Sequence, residues 1–200
     1  AVRYARQFAR PRLVVIGGLI GTGKSTLAGS LARALGATWL RTDEIRLREF
    51  AHERRPQQAT PPRGVGDGER ERARGDSPTG GDGERSEPEG TPPRAMGFTE
   101  GLYAPHISEL VYQRLIQRAE ALVRQGRSVV CDGTFSKAAG RTALREAARR
   151  HGASFHFFEC VVPRAVALRR VARRYAARAD LSEARPEHYD RLQAGFEPVR

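Results

Sequence analysis

Residues 13–26, LVVIGGLIGTGKST, constrain the fold of this chain more than any other stretch. Residues 13–17 form a short apolar run rich in β-branched side chains, and residues 18–25 fit G-x-x-x-x-G-K-[ST] at every fixed position. A strand that enters a glycine-rich turn and leaves it as a helix aims unpaired main-chain N–H groups into one concavity, where the helix dipole also favours an anion. The implied occupant is the tail of a nucleoside triphosphate. Gly18, Gly21, Thr22 and Gly23 form the cradle, Lys24 neutralises the β- and γ-phosphates, Ser25 offers its hydroxyl to Mg2+, and Thr26 stands next for a phosphate oxygen. The apolar spacing that follows, Leu27, Leu31, Ala34 and Leu35, predicts an amphipathic helix over about 24–35.

Strand and helix patterns then alternate. Residues 38–42 read as a second strand, ending at Asp43, which can also cap the helix that begins there. Ile107, Leu110, Val111, Leu115, Leu122 and Val123 place a helix over 105–125, stopped by Gly126. A third strand covers 128–131, a helix of arginines and alanines about 137–150, a fourth strand 154–162, and a strongly basic helix runs from Pro163 to about Arg178. A last helix follows over 186–194. Alternation of this kind predicts a parallel sheet with right-handed crossovers.

Composition changes sharply over 53–95: 15 of these 43 residues are Gly or Pro, and only Ala59, Val65, Ala73 and Ala95 are apolar. A segment so poor in apolar side chains cannot offset its own ordering entropy, which predicts a disordered insert. Its eight arginines and nine acids nearly cancel, so the net charge of +12 belongs to the rest of the chain. Basic residues upstream of an apolar run superficially resemble a secretion leader. Lys24 and the glycines interrupt that run, however, and no small-x-small cleavage site closes it. Cys131 and Cys160 each end an apolar run, as free core cysteines do. A cytoplasmic protein is the expectation, with no membrane partner.

In an open parallel sheet, ligands bind beyond the carboxyl ends of the strands. Asp43 follows the second strand and Asp132 the third. Asp132 has a Walker-B-like placement, able to hold Mg2+ directly or through water. Asp43 and Arg46 share one helical face, where a carboxylate near the γ-phosphate could accept the proton of an attacking hydroxyl while Arg46 holds the substrate. Arg170 and Arg174, four residues apart, present guanidinium forks suited to a transferring phosphoryl group. The chain contains no asparagine, so the Asn-Lys-x-Asp guanine-reading motif of GTPases is absent and ATP is the expected nucleotide.

GGLIGTGKSTLA, RTDEIR, GLYAPH, VVCDGTF with Arg141 beyond it, and the basic helix together resemble the small P-loop kinases that include polynucleotide 5′-hydroxyl kinases, gluconate kinases and zeta-toxin-like enzymes. The chain is most similar to the predicted-kinase, ATP-binding domain often fused to an aminoglycoside-phosphotransferase-like domain. The resemblance covers residues 1–52 and 96–200. It implies a P-loop NTPase three-layer αβα sandwich with a parallel sheet of four to five strands. It also implies a connector over 1–12, a kinase domain over 13–200 and a lid region over about 163–185. By the same resemblance, Gly21, Gly23, Lys24, Ser25 and Thr26 bind phosphate, Asp43 is the general base, Arg46 contacts the substrate, and Arg170 and Arg174 belong to the lid. The partners implied are ATP and a hydroxyl-bearing acceptor, with nucleic acid only as substrate. A second reading stays open: a nucleotide-sensing module of a larger fused protein that transfers no phosphoryl group.

Overall fold

β1, Arg12–Gly17, lies between two strands that arrive much later in the chain, and its apolar run is buried on both faces. The computed structural model describes residues 10–51, 101–177 and 185–199. After β1 come α1 (Lys24–Leu35), β2 (Thr38–Arg41), α2 (Thr42–Phe50), a 3-10 turn (Gly101–Tyr103) and α3 (Pro105–Arg124). They are followed by β3 (Val129–Asp132), α4 (Ala138–Arg150), β4 (Ser154–Glu159), α5 (Arg164–Ala177), a second 3-10 turn (Pro186–His188) and α6 (Tyr189–Ala194). The four strands are parallel in the order β2-β3-β1-β4, so the chain reverses its direction of progress across the sheet between β1 and β3.

Alternation along the strands divides the core in two. Leu13, Val15, Val129 and Cys131 face α3 and α4, packing on Ile107, Val111, Leu115, Ala119 and Val123 of the former and Leu144 and Ala148 of the latter. Val14, Ile16 and Val130 face the opposite way, onto Ala28 and Ala32 of α1. Each burial removes apolar surface from water at roughly 25 cal/mol per Å². The result is a three-layer αβα sandwich on a four-stranded parallel sheet: the alternation predicted the parallel sheet, and the family resemblance implied the three layers. A smaller cluster, Ile20 with Ala167, Val171 and Tyr189, fastens α5 and α6 to the loop after β1.

Local chemistry sets the helix ends. Gly36 adopts φ 60°, and the Ala37 N–H reaches back to the Ala32 carbonyl at 2.9 Å, closing α1 and turning the chain directly into β2. Three expectations shift. Helix α2 already begins at Thr42, so Asp43 lies in its first turn; the N-cap residue is Arg41, which makes no side-chain capping bond. β4 stops at Glu159 and not at residue 162, because its partner β1 ends opposite, at Gly17, and only the Cys160 N–H continues the ladder, to the Gly17 carbonyl at 2.9 Å. The final helix opens as a 3-10 turn. The expected insert, 53–95, most of the connector, and residues 178–184 of the lid region lie outside the described residues. Among the described residues, no helix is long and apolar enough to cross a membrane.

Candidate active site

The crevice beyond β1 and β3 is held open by two loops tied to one another. The Gly18 N–H donates to the Thr134 carbonyl at 3.1 Å and the Gly133 N–H to the Ile16 carbonyl at 3.3 Å, so the glycine-rich loop is joined to the loop after β3. Within the glycine-rich loop, the Thr22 hydroxyl donates to the Leu19 carbonyl at 2.8 Å, and Lys24 Nζ donates to the same oxygen at 2.6 Å. Burial pushes the Lys24 ammonium below its ordinary pKa, while the nearby Asp132 and Asp43 carboxylates pull it back up. Gly23, the N-cap of α1, has φ 94°, a left-handed conformation that leaves the helix N-terminus facing the crevice. Gly21, with φ 76°, lies against the Ala167 carbonyl and the Val171 side chain of α5, so the basic helix packs directly on the loop.

Asp132, the last residue of β3, is buried and hydrogen-bonded to the Ser25 side chain. Its desolvation raises the carboxyl's pKa above the usual carboxylate value, against the opposing effects of the Ser25 bond and of Lys24 and Arg41. Arg41 occupies the position opposite Asp132 in the β2–β3 register, with its Nε 3.7 Å from Asp132 Oδ2. One residue past the start of α2 stands Asp43, and one turn further on Arg46, 6% exposed. Arg46 Nη1 donates to the Leu102 carbonyl and to Ser108 Oγ, and its guanidinium lies 4.6 Å over the Tyr103 ring.

The loop after β3 is held in a strained shape. Phe135 has φ 48°, the one non-glycine residue in the left-handed region among those described. Its N–H donates to the Tyr112 hydroxyl at 2.9 Å, its ring meets that of Tyr112 edge-on at 5.2 Å, and its carbonyl accepts from Arg141 Nη1 at 2.8 Å. Arg141, buried, also donates to the carbonyls of Ser136, Glu197 and Pro198. The Glu197 N–H in turn donates to the Ser136 carbonyl at 2.8 Å. A left-handed non-glycine residue costs about 1–3 kcal/mol and persists only where its surroundings over-determine it, as these contacts do. Burial raises the Tyr112 phenol above its ordinary pKa, so it remains protonated.

These pieces enclose a cavity of about 800 Å³. Of the residues singled out from sequence, Gly21, Gly23, Lys24, Ser25, Thr26, Asp43, Arg46, Asp132, Arg170 and Arg174 all line it. Gly18 and Thr22 do not: Gly18 is packed against the Cys160 backbone, and the Thr22 hydroxyl is engaged within the loop. Arg41, Tyr112, Lys137, Arg173 and Arg191 also line the cavity and had not been singled out. Arg173 sits three residues after Arg170 and could have been found by helical spacing. Nothing local distinguishes Arg191 or Tyr112 from surface and core neighbours. Eight cationic side chains therefore face two carboxylates, Asp43 and Asp132. Among the described residues, no group of three His, Cys, Asp or Glu side chains could hold a metal by itself.

A family model described as an AAA domain, AAA_33, matches residues 13–199. The chain belongs to this family. Solved structures share the fold of the AAA_33 domain. A sugar kinase from Janibacter superposes with a TM-score of 0.55 at 17% identity, over 95% of this chain and 80% of that one. A gluconokinase from Sinorhizobium meliloti gives 0.53 at 14%, over 94% and 76%. The APS kinase of Mycobacterium tuberculosis, in complex with AMPPNP and APS, gives 0.51 at 20%, over 85% and 73%. At these identities the likeness shows a shared fold, the one that the resemblance of the quoted residues implied. The uncharacterized protein Rv2004c of Mycobacterium tuberculosis is 32% identical over 152 residues, 75% of this chain, and the chain spans only 22% of that protein's length.

Proposed function

We propose that this AAA_33 domain is an ATP- and Mg2+-dependent phosphotransferase that moves the γ-phosphoryl group to a hydroxyl of a small-molecule or nucleic-acid-end acceptor. The observation that carries this reading is the convergence of Lys24, the Ser25–Asp132 pair and Asp43 on one cavity, close enough for both carboxylates to act on the Lys24 charge. Lys24 and the amides of the glycine-rich loop hold the phosphates. Asp43 takes the proton of the acceptor hydroxyl as its oxygen attacks the γ-phosphorus, and the bond to the β–γ bridging oxygen breaks to release ADP. Arg170, whose Nη1 would stand 3.7 Å from a Cβ built on Gly23, lies over the glycine-rich loop, and Arg174 lines the cavity beside it. Their guanidinium forks match the charge that spreads over the transferring oxygens.

The donors on hand fit Mg2+. Ser25 Oγ and the Asp132 carboxylate are hard oxygens already in contact, and this ion takes one or two protein oxygens with phosphates and water. When bound, it would neutralise phosphate charge. The need for ATP favours the cytoplasm, and the 22% share of Rv2004c favours a domain within a longer fused chain.

The test is labelled ATP with a panel of sugars, nucleosides, aminoglycosides and 5′-hydroxyl oligonucleotides, read as labelled ester. Lys24→Ala is expected to abolish Mg-nucleotide uptake in calorimetry. Asp43→Asn is expected to lower turnover by roughly 10²–10⁴-fold while leaving nucleotide affinity intact, the usual range for a lost general base. Release of free phosphate alone from every acceptor would reduce the protein to an ATPase. An Asp43→Asn variant with full output would instead favour the nucleotide sensor.

A further inference from the structure

The end of the sheet away from the cavity carries positive charge that no acid beside it answers. Because the strands are parallel, their first residues lie side by side there, with the last turns of the helices that lead into them. Hydrogen bonds join the segments. The Arg12 N–H donates to Ser128 Oγ at 3.1 Å, the Thr38 N–H to the Ser128 carbonyl at 2.9 Å, the Ser154 N–H to the Pro11 carbonyl at 2.9 Å, and Arg10 Nε to the Gly152 carbonyl. Residues 10–12, 33–37, 124–128 and 149–153 therefore share one face, and they hold seven arginines and no aspartate or glutamate.

Pairing separates these arginines from others on the surface. Arg48 meets Glu44 at 2.7 Å, Arg114 meets Glu49 at 3.4 Å and Arg164 meets Asp190 at 2.7 Å. On the basic face, Arg150 meets Glu120 at 2.8 Å and Arg149 reaches Glu146 at 3.9 Å. Arg10, Arg12, Arg33, Arg124 and Arg127 are exposed and have no carboxylate partner among the described residues. One cause is local, since cations are favoured at helix C-termini and α1, α3 and α4 all end here. Each such terminus is equivalent to about half a negative charge, so the three together answer about 1.5 of the five positive charges. The rest of the charge faces water.

The face is also bare of apolar anchors. Leu27, Leu110, Phe158, Val161, Tyr175 and Val199 are the exposed large apolar side chains among the described residues, and none belongs to these segments. No Phe, Tyr or Trp does either. A protein partner is held through an apolar, often aromatic, interface core, and a membrane surface through apolar side chains that insert beneath the charges. Single-stranded nucleic acid is held by rings that stack on its bases. A duplex needs none of these, because guanidinium forks set along its phosphates supply the affinity. We propose that this face binds the phosphate backbone of double-stranded nucleic acid, without reading its sequence, through Arg10, Arg12, Arg33, Arg124 and Arg127. The glycine-rich loop follows the opposite end of β1, so duplex and nucleotide occupy separate places. Docking here does not require phosphoryl transfer.

The test uses the full chain and a fluorescent DNA duplex of about 20 base pairs, phosphorylated at both 5′ ends so that it offers no 5′-hydroxyl, with binding read by anisotropy across a KCl series. Five phosphate contacts predict a slope near −4.5 in log K against log salt, a fall of about 500-fold between roughly 50 and 200 mM. The combined variant Arg12→Gln, Arg33→Gln and Arg124→Gln touches side chains that have no hydrogen-bond partner among the described residues, and is expected to flatten the slope by about 2.7. Arg48→Gln, Arg114→Gln and Arg164→Gln together remove the same charge elsewhere and are expected to keep the parent slope. At fixed Mg2+, saturating AMPPNP is expected to leave duplex affinity of the parent protein unchanged. A parent slope near zero, equal losses in the two combined variants, or displacement of the duplex by AMPPNP overturns the proposal. Tighter binding to phosphatidylserine vesicles than to the duplex at the same salt overturns it in favour of a membrane surface. Absence of Mg-nucleotide uptake in calorimetry would remove the phosphotransferase reading alone, since the salt slopes of the parent and the two variants still decide this one.

Discussion

Gly21 offers a quantitative check on how the basic helix is joined to the phosphate loop. The residue has φ 76°, and a Cβ built there would collide with the Ala167 backbone carbonyl and stand 2.9 Å from Val171 Cγ2. Gly36 has a comparable φ, 60°, but nothing lies within 4 Å of its Cβ position. The pair separates backbone strain from collision. Gly36→Ala carries the left-handed penalty alone, about 1–2 kcal/mol. Gly21→Ala carries the same penalty plus an overpacking term of about 1–3 kcal/mol, because the obstacle is backbone and cannot rotate away. Unfolding free energies from urea titration are therefore expected to fall by about 1–2 kcal/mol for Gly36→Ala and about 2–5 kcal/mol for Gly21→Ala. In a domain of this size, each kcal/mol is about 2–4 °C in Tm. Gly23→Ala, with φ 94° and only Arg170 Nη1 at 3.7 Å, should resemble Gly36→Ala in stability. Should Gly21→Ala prove no more costly than Gly36→Ala, α5 does not rest on the loop through Ala167 and Val171, and the enclosure of the cavity by the basic helix would have to be abandoned.

Arg141→Met keeps much of the side-chain volume but leaves the buried carbonyl of Phe135 and the more accessible carbonyls of Ser136, Glu197 and Pro198 without their shared donor; a loss of roughly 1–3 kcal/mol is expected in urea unfolding, with faster hydrogen exchange at the Glu197 amide. An unchanged unfolding midpoint would mean that the loop after β3 is held by Tyr112 alone. The raised pKa of Tyr112 gives a pH test with a definite sign. The native phenol keeps its proton where the unfolded one ionises, so its contribution is complete below about pH 10 and is lost as pH climbs beyond that towards the raised native value. The Tm difference between the parent and Tyr112→Phe is expected to narrow from about pH 9 upwards, and a constant difference would contradict the burial of that hydroxyl.

Whether a residue of this site could be read from the chain depends on how its role is enforced. The phosphate loop is legible because its function is main-chain geometry, and a glycine or a lysine at a fixed offset is the only economical way to encode it. Asp43 and Asp132 are legible at one remove: each ends an apolar run, and an open parallel sheet directs strand ends towards its ligand crevice. Arg41 fails this test. It looks like a strand-end arginine, and only the β2–β3 register, which sets it directly opposite Asp132, gives it a partner. Tyr112 lies beside Val111 on an amphipathic helix, and its hydroxyl acquires meaning only because Phe135, 23 residues later, takes a left-handed conformation and presents its N–H. Arg141 sits in a helix whose other arginines, Arg145, Arg149 and Arg150, are exposed; two of its four carbonyls come from 56 and 57 residues downstream.

The division has a physical consequence for the two proposed ligands. The triphosphate would be received by one contiguous segment, residues 18–26, whose shape is local and whose chemistry any reader of the chain can name. An acceptor would meet Arg46 as oriented by Leu102, Ser108 and Tyr103, with Tyr112 beside them, an arrangement assembled across more than fifty residues by packing α2 against α3. Small changes in that packing re-aim a guanidinium without altering a single motif residue. Acceptor identity should therefore change among proteins that keep the same phosphate loop. An exchange of Tyr103 or Ser108 is expected to alter which acceptor is phosphorylated in the labelled-ATP panel, and to leave Mg-nucleotide uptake in calorimetry where it was.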